Sequence, residues 1–438
     1  MSDTMLFPAV ELPLLDRADV VVCGAGVAGV AAAIAAARDG ADTVLLERSG
    51  CPGGMTTVGL LPSIISMTDG HRVLAGSICR ELVDAVAADM NEPVNYRWQN
   101  IHPESVKRVC DRLLEAAGVR CYYDTTMAST RVENRRIVAL ACTSPAGQAA
   151  FAGKIFIDAT GDGVLALAAG AGFECGDADG QVMAPTLCSM FDGIDYSASQ
   201  AGSVFGRHEW ARALAEGINP LPERHFVGFF RTGSSCGTGN LGHIYSTNVV
   251  DWRSRSLAMV EGRRQAVIFR DFFRRNVPGF ENAELIATAG MLGVRESRRI
   301  NGDYRLCAED YLRRRHFPDD IGSFAYPIDI HAAGSCGEEQ ARVEENLEKS
   351  RYRPGENYGI PYRVLTVAKF DNLLVAGRCV STDRWMQSSL RVVPGCMITG
   401  EAAGSAAALA VASGKELRGI DINLLRQRLS SRGQYIPC

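Results

Sequence analysis

The chain is poor in the features that mark a stapled, exported or nucleic-acid-binding protein. Its 438 residues hold 14 cysteines, yet they are scattered and no two form a CxxC pair. That spacing carries no disulfide framework, and the thiols read as small buried hydrophobes in a reducing cytoplasm. Charge of one sign is missing as well: 46 Lys and Arg against 50 Asp and Glu leave a net −4. The balance excludes a basic footprint for nucleic acid and a polybasic anchor for anionic lipid. The opening stretch MSDTMLFPAVELPLLDRAD has acidic residues and no basic region ahead of an apolar core, so it is not expected to be a secretory leader. No internal repeat or low-complexity tract is visible. One long apolar run exists, residues 18–37, about as long as a membrane span. Glycines at 24, 26 and 29 break it early, so it reads as buried strand, tight turn and buried helix, with no transmembrane segment expected.

What is present is an ordinary globular composition, 47% hydrophobic and 22% charged, long enough for two compact lobes. Strand-like runs fall at 20–23, 43–47, 137–142, 154–158 and 372–376, each rich in β-branched residues and bounded by Gly, Asp or Asn. Helical spacing marks 27–38, 104–117 and 396–412. Strand–helix–strand order at both ends predicts an α/β fold, a parallel sheet covered by helices. The middle, about 176–355, differs: it concentrates aromatics such as Trp210, Phe229, Phe230, Trp252, Phe272 and Phe273, with many arginines and Gly/Ser-rich turns. It reads as an inserted α+β substrate domain. The nucleotide-binding domain then comes in two parts, 17–175 and 356–432.

The strongest motif is Gly24-Ala25-Gly26-Val27-Ala28-Gly29, which follows the strand DVVVC and opens a helix. Gly24 makes the tight turn, Gly26 lets backbone approach a pyrophosphate, and Gly29 permits close helix–strand packing. The helix N-terminus presents unpaired N–H groups and partial positive charge to phosphates. The next strand ends on Glu47, placed to accept hydrogen bonds from an adenosine ribose, with Arg48 beside it. Together these predict a Rossmann-like dinucleotide site. Three further features favour FAD over NAD. Gly53 and Gly54, followed by Met55 and Thr56, let the chain pass close to the flavin end of the pyrophosphate. A buried strand ends in Ala159-Thr160-Gly161-Asp162 near the dinucleotide. A last strand ends on Gly377-Arg378, and Leu390-Arg391-Val392 leads into a helix whose N-terminus is expected at the flavin O2/N1 edge. Met127 completes the expected cofactor contacts.

The set GAGVAG, ERSGCPGG, FIDATGDG and VAGR resembles the glutathione-reductase-like FAD proteins. Within them the chain is similar to the FAD-dependent oxidoreductases, distant relatives of the fumarate reductase and succinate dehydrogenase flavoproteins. The stretches LGVRESRR (292–299), YPIDIH (326–331), YGIPYR (358–363) and SLRV (389–392) carry that narrower likeness, which runs from about 19 to 412. It implies an enzyme that exchanges a hydride between flavin N5 and a small organic substrate. The loop 379–387, CVSTDRWMQ, is bulkier and more cationic than the small-residue and His versions of relatives. Fumarate reductases link flavin through a His near the glycine pair; here none occurs until His71, so non-covalent FAD is expected.

Flavin does the electron transfer, and the protein must position substrate and manage one proton. Among seven histidines, His331 stands out because it ends a strand expected over 326–330. Arg295 and Arg299, four apart on an expected helix or turn, are candidates to clamp a carboxylate, or to form an ion-paired scaffold around Glu296 and Asp303. Arg391 is expected at cofactor or substrate, and Tyr362 on an active-site wall. Cys51 and Cys379 have no partner at the short spacing of flavin disulfide reductases. No metal site is expected. Competing readings are a flavoprotein without net redox turnover and a monooxygenase, though no second GxGxxG offers a dinucleotide site for NAD(P)H. An RNA-modifying flavoenzyme is disfavoured by the net charge. Arginines in the middle lean towards an anionic substrate. The electron acceptor and the number of copies in any homo-oligomer are left open.

Overall fold

The computed structural model describes Met5 and residues 10–198 and 204–437; part of the stretch read for a leader falls outside them. The first sheet is built from β1 (Leu14–Cys23), β2 (Thr43–Leu46), β3 (Arg120–Tyr122), β4 (Thr126–Glu133), β5 (Arg136–Ser144) and β6 (Gly147–Asp158), in the spatial order β3-β2-β1-β6-β5-β4. β3, β2, β1 and β6 run parallel, with Val22 opposite Leu45 and Ile157. β4, β5 and β6 form an antiparallel meander on the other side. The parallel core strands are buried on both faces, which is why they read as apolar runs rather than alternations. Helix α1 (Val27–Arg38) crosses from β1 to β2.

A second sheet comes from the middle of the chain. β7 (Ser189–Asp192), β8 (Gly228–Arg231), β9 (Gly237–Asn240) and β10 (Glu284–Thr288) are antiparallel in the order β8-β9-β7-β10. Helix α2 (Trp252–Asn276) starts at Asp251, whose carboxylate accepts from the Ser254 N–H at 2.7 Å, and lies against it. Its apolar face helps form a separate aromatic core of Phe191, Trp210, Phe229, Phe269, Phe273 and Phe280. From Ile300 onward, residues such as Leu306, Tyr311, Ile321 and Tyr358 pack into the main core instead.

The chain closes with β11 (Leu373–Val375), parallel to the C-terminal half of β6, a short helix α3 (Arg384–Leu390) and α4 (Val393–Ser413). α4 lies on α1 at backbone contact: a Cβ on Gly400 would sit 2.1 Å from the Ala28 carbonyl oxygen, and one on Gly404 2.0 Å from that of Ala32. α4 is long and apolar enough to cross a membrane, yet 89% of its most apolar window is buried, as in the core helix of a globular domain.

Two expectations change. Residues 326–330 are not a strand; the strand is Asp320–Phe324, paired with Tyr358–Pro361. Pro327 offers no N–H, and α3 takes over the backbone groups: the Asp329 N–H donates to Ser388 Oγ at 3.0 Å and Ser389 Oγ donates to the Tyr326 carbonyl at 2.5 Å. Nor do Arg295 and Arg299 share a helix. Arg298–Ile300 is a strand on Phe173–Cys175, which sends the two side chains to different partners.

Candidate active site

The glycine turn shows three different demands on the missing side chain. Gly24 has φ +92°, and a Cβ there would lie 2.8 Å from the Ala159 carbonyl oxygen. A Cβ on Gly29 would be 1.7 Å from the Gly24 carbonyl oxygen, which fixes α1 against the turn. At Gly26 a Cβ would meet nothing within 4 Å. Gly26 therefore faces open volume at the N-terminus of α1, where a side chain would fill the space for a phosphate. That volume belongs to a cavity of about 1150 Å³. It exceeds the roughly 300–1,000 Å³ of ordinary small-ligand pockets, leaving room for a dinucleotide and a second molecule.

Most of the expected cofactor contacts share this wall. Gly24, Gly26, Val27 and Ala28 line it, with Glu47 and Arg48 at the end of β2. Gly54, Met55 and Met127 follow, then Ala159, Thr160, Gly161 and Asp162 after β6. Gly377, Arg378, Arg391 and Val392 come from the closing segment, so the first turn of α4 opens onto the cavity. Glu47 also locks the turn: it accepts from the Ala25 N–H at 2.6 Å and from the Ser49 N–H at 2.8 Å. Arg378 is held by Asp162 at 2.7 Å, and Asp162 also meets Arg255 at 3.1 Å. Burial raises the Asp162 carboxyl, but the two guanidiniums outweigh it and hold it well below the usual range.

Ala25, Gly29, Gly53, Thr56, Leu390 and Tyr362 do not line the cavity. Ala25 accepts from the Gly53 N–H at 2.8 Å, and Thr56 Oγ1 donates to the Gly53 carbonyl at 2.9 Å, so these three build the turn from behind. Leu390 is core. Tyr362 is corrected from active-site wall to core residue: it is 3% exposed and its hydroxyl donates to the Leu417 carbonyl at 3.0 Å. Its apolar ring fills the main core once the chain has returned from the second sheet. Of the expected scaffold, Arg299 does pair with Glu296, at 2.5 Å, while Asp303 pairs with Arg418 at 2.7 Å.

The same cavity is also lined by His331, Arg295, Asp329 and His225, with Arg391 beside them. Behind His331 runs a buried chain that no sequence motif announces. His243 Nε2 lies 2.7 Å from His331 Nδ1, and His243 Nδ1 lies 2.8 Å from Glu223 Oε2. Glu223 also accepts from the backbone N–H of His243 at 2.7 Å, from that of His225 at 3.0 Å and from the Tyr245 hydroxyl at 3.2 Å. On the cavity side, His331 Nε2 is 3.4 Å from Asp329 Oδ1, and Arg391 Nη2 is 3.0 Å from Asp329 Oδ2.

Burial, then the Arg295 charge, pushes His243 down to about 4 and His331 well below its ordinary value. Both rings are thus neutral near pH 7 and supply two N–H groups to three gaps. Glu223 stays ionised, because its hydrogen bonds outweigh burial, and claims the His243 Nδ1–H. His331 Nδ1–H then serves His243, which leaves the His331 Nε2 lone pair facing Asp329 and the cavity. Glu223 and His243 are the residues the sequence reading missed. They lie 20 and 88 residues from their partners, with only residue type as a signal.

The turn, the parallel sheet and the cavity define a dinucleotide-binding enzyme. Residues 19–429 match the FAD dependent oxidoreductase family, and the chain belongs to that family; its cofactor is FAD. Among solved structures it is similar to a geranylgeranyl bacteriochlorophyll reductase-like protein from Thermoplasma acidophilum (14% identity, TM-score 0.47, covering 95% of this chain and 83% of that one). A flavin-dependent brominase has 14% identity and TM-score 0.48, covering 95% and 84%. An anhydrotetracycline hydroxylase from Streptomyces rimosus has 12% identity and TM-score 0.43, covering 95% and 66%. No curated protein sequence matches the chain.

Proposed function

We propose that the enzyme exchanges a hydride between flavin N5 and a small organic substrate at the His331 end of the cavity, in the direction of substrate oxidation. The observation that carries this is the approach of His331 Nε2 to Asp329 Oδ1, 3.4 Å apart on the cavity wall. Bound FAD supplies a two-electron acceptor. His331 Nε2 takes the proton that leaves the substrate, and Asp329 neutralises the imidazolium while Arg391 holds Asp329 in place. The His331 Nδ1–H can pass to His243 Nε2, so the charge comes to rest beside Glu223. Every gap in the chain then holds one proton.

The proposal extends to non-covalent FAD; His71 faces Gly355 and does not line the cavity. It includes residues 176–355 as a substrate-side domain, supported by the separate aromatic core, with packing from Ile300 onward drawing its closing boundary earlier. The distant kinship with fumarate reductase flavoproteins stays part of it, resting on the stretches quoted above. The test is anaerobic mixing of the yellow protein with a metabolite panel, scored by bleaching of the visible flavin band. A compound that bleaches it identifies the substrate class. Turnover that requires NAD(P)H and oxygen would instead favour a monooxygenase.

A further inference from the structure

Of the two arginines most deeply buried among the described residues, Arg299 sits on Glu296 at 2.5 Å and Arg295 on no carboxylate. Arg295 is 7% exposed. Its Nη1 donates to the Ala184 carbonyl at 2.7 Å and to Thr186 Oγ1 at 2.9 Å. Nε and Nη2 have no acceptor among the described residues, and the side chain lines the cavity beside His331. Two neighbouring cations of the cavity lining do have carboxylates, Arg391 on Asp329 and Arg378 on Asp162. Burial, with Arg391 next, lowers Arg295 to about 10, the direction expected of a guanidinium that lacks its counter-ion. A buried charge without a partner is costly and is retained where a ligand completes it. The phosphates of FAD have their own seat at α1, so they do not supply the missing anion.

We infer that Arg295 is the anchor for a carboxylate on the substrate, received by the free edge formed by Nε and Nη2 while Ala184 and Thr186 hold Nη1. The substrate class is a small organic carboxylate whose oxidisable group reaches His331. The inference rests on the reading of this cavity as the substrate site of a flavoenzyme. Planar two-point recognition of a carboxylate is what a fixed guanidinium does best.

The probes are fluorobenzoate and trifluoropropionate, against fluorobenzamide and trifluoropropionamide, added to the FAD-loaded protein at constant ionic strength. Fluorine NMR line width reads binding without reference to flavin, and the visible flavin spectrum reads proximity to the cofactor. The expected result is saturable binding of the acids at least about tenfold tighter than their amides, with a shifted flavin band. Arg295→Gln should remove that preference and Arg295→Lys retain part of it, both at unchanged FAD content. Acids and amides that bind alike, or neither acid binding, would overturn the inference even if no variant folds. Acid preference that survives Arg295→Gln would overturn it too. Selective acid binding without any flavin shift would uphold the anion site and count against the shared-cavity reading.

Discussion

Two parts of the cavity wall are made of different material. Around the glycine turn the wall is backbone: Gly24 and Gly26 work by what they lack, and α1 and α4 approach so closely that only Gly400 and Gly404 fit. Around His331 the wall is titratable side chains, with Arg295, Asp329, His331 and Arg391 in front and His243 and Glu223 behind. A site made of backbone needs consecutive residues in one conformation, so it leaves a contiguous motif. A site made of side chains can draw on any strand end, and leaves only residue types.

The largest expected effect breaks the backbone end. Gly26→Val fills the open volume at α1 and should weaken FAD binding at least about a thousandfold, roughly 4 kcal/mol, measured as flavin per protein after dialysis. Full occupancy in that variant would mean that the phosphate lies elsewhere. Next, His331→Ala should slow substrate reduction of the flavin by about 10²–10⁴-fold with FAD content unchanged, in stopped-flow absorbance. Loss of FAD with equal rates would reverse the division of labour.

Two smaller effects sharpen the comparison by touching neither wall. Glu401, buried in α4 with the Ser77 hydroxyl donating to it at 2.5 Å, is raised by burial from the ordinary 4.5 to about 7. A raised acid stabilises the fold below its unfolded value, and that contribution is lost as pH rises through the folded one. Glu401→Gln should therefore gain on the order of 3 kcal/mol over the parent at about pH 9 and close to nothing at about pH 4, by denaturant melts. A constant gap across pH would contradict the shift. Smallest is Tyr362→Phe, expected to cost about 1 kcal/mol through the lost bond to Leu417 and to leave flavin reduction unaltered. A kinetic defect there would return Tyr362 to the active site.

The contrast also accounts for how much could be read from the residues alone. β2 and the C-terminal parts of β1 and β6 were legible because strands buried on both faces are continuous apolar runs, closed here by Gly24, Glu47 and Asp158. α4 begins at Val393 rather than Cys396, since Pro394 in a first turn gives up an N–H that has no helical partner anyway. Residues 326–330 have strand-like composition, but serine hydroxyls of α3, some 60 residues on, capture their backbone. Arg295 and Arg299 have helical spacing and no helix, because a three-residue pairing with Phe173–Cys175 outranks periodicity over so short a stretch. The carboxylate–imidazole chain had no local pattern at all; Glu223 and His243 meet His331 only because the segment before β8, the turn after β9 and the segment after the strand Asp320–Phe324 converge there.

In the proposed reaction His331 waits as an unprotonated base, with its free nitrogen towards the cavity. Histidine-selective nitrogen NMR of the FAD-loaded protein at about pH 7, assigned with His331→Gln and His243→Gln, tests it most directly. Two neutral rings are expected: His243 with its proton on Nδ1 and His331 with its proton on Nδ1 and a bare Nε2. An imidazolium signal for His331, or a proton resting on its Nε2, would contradict it.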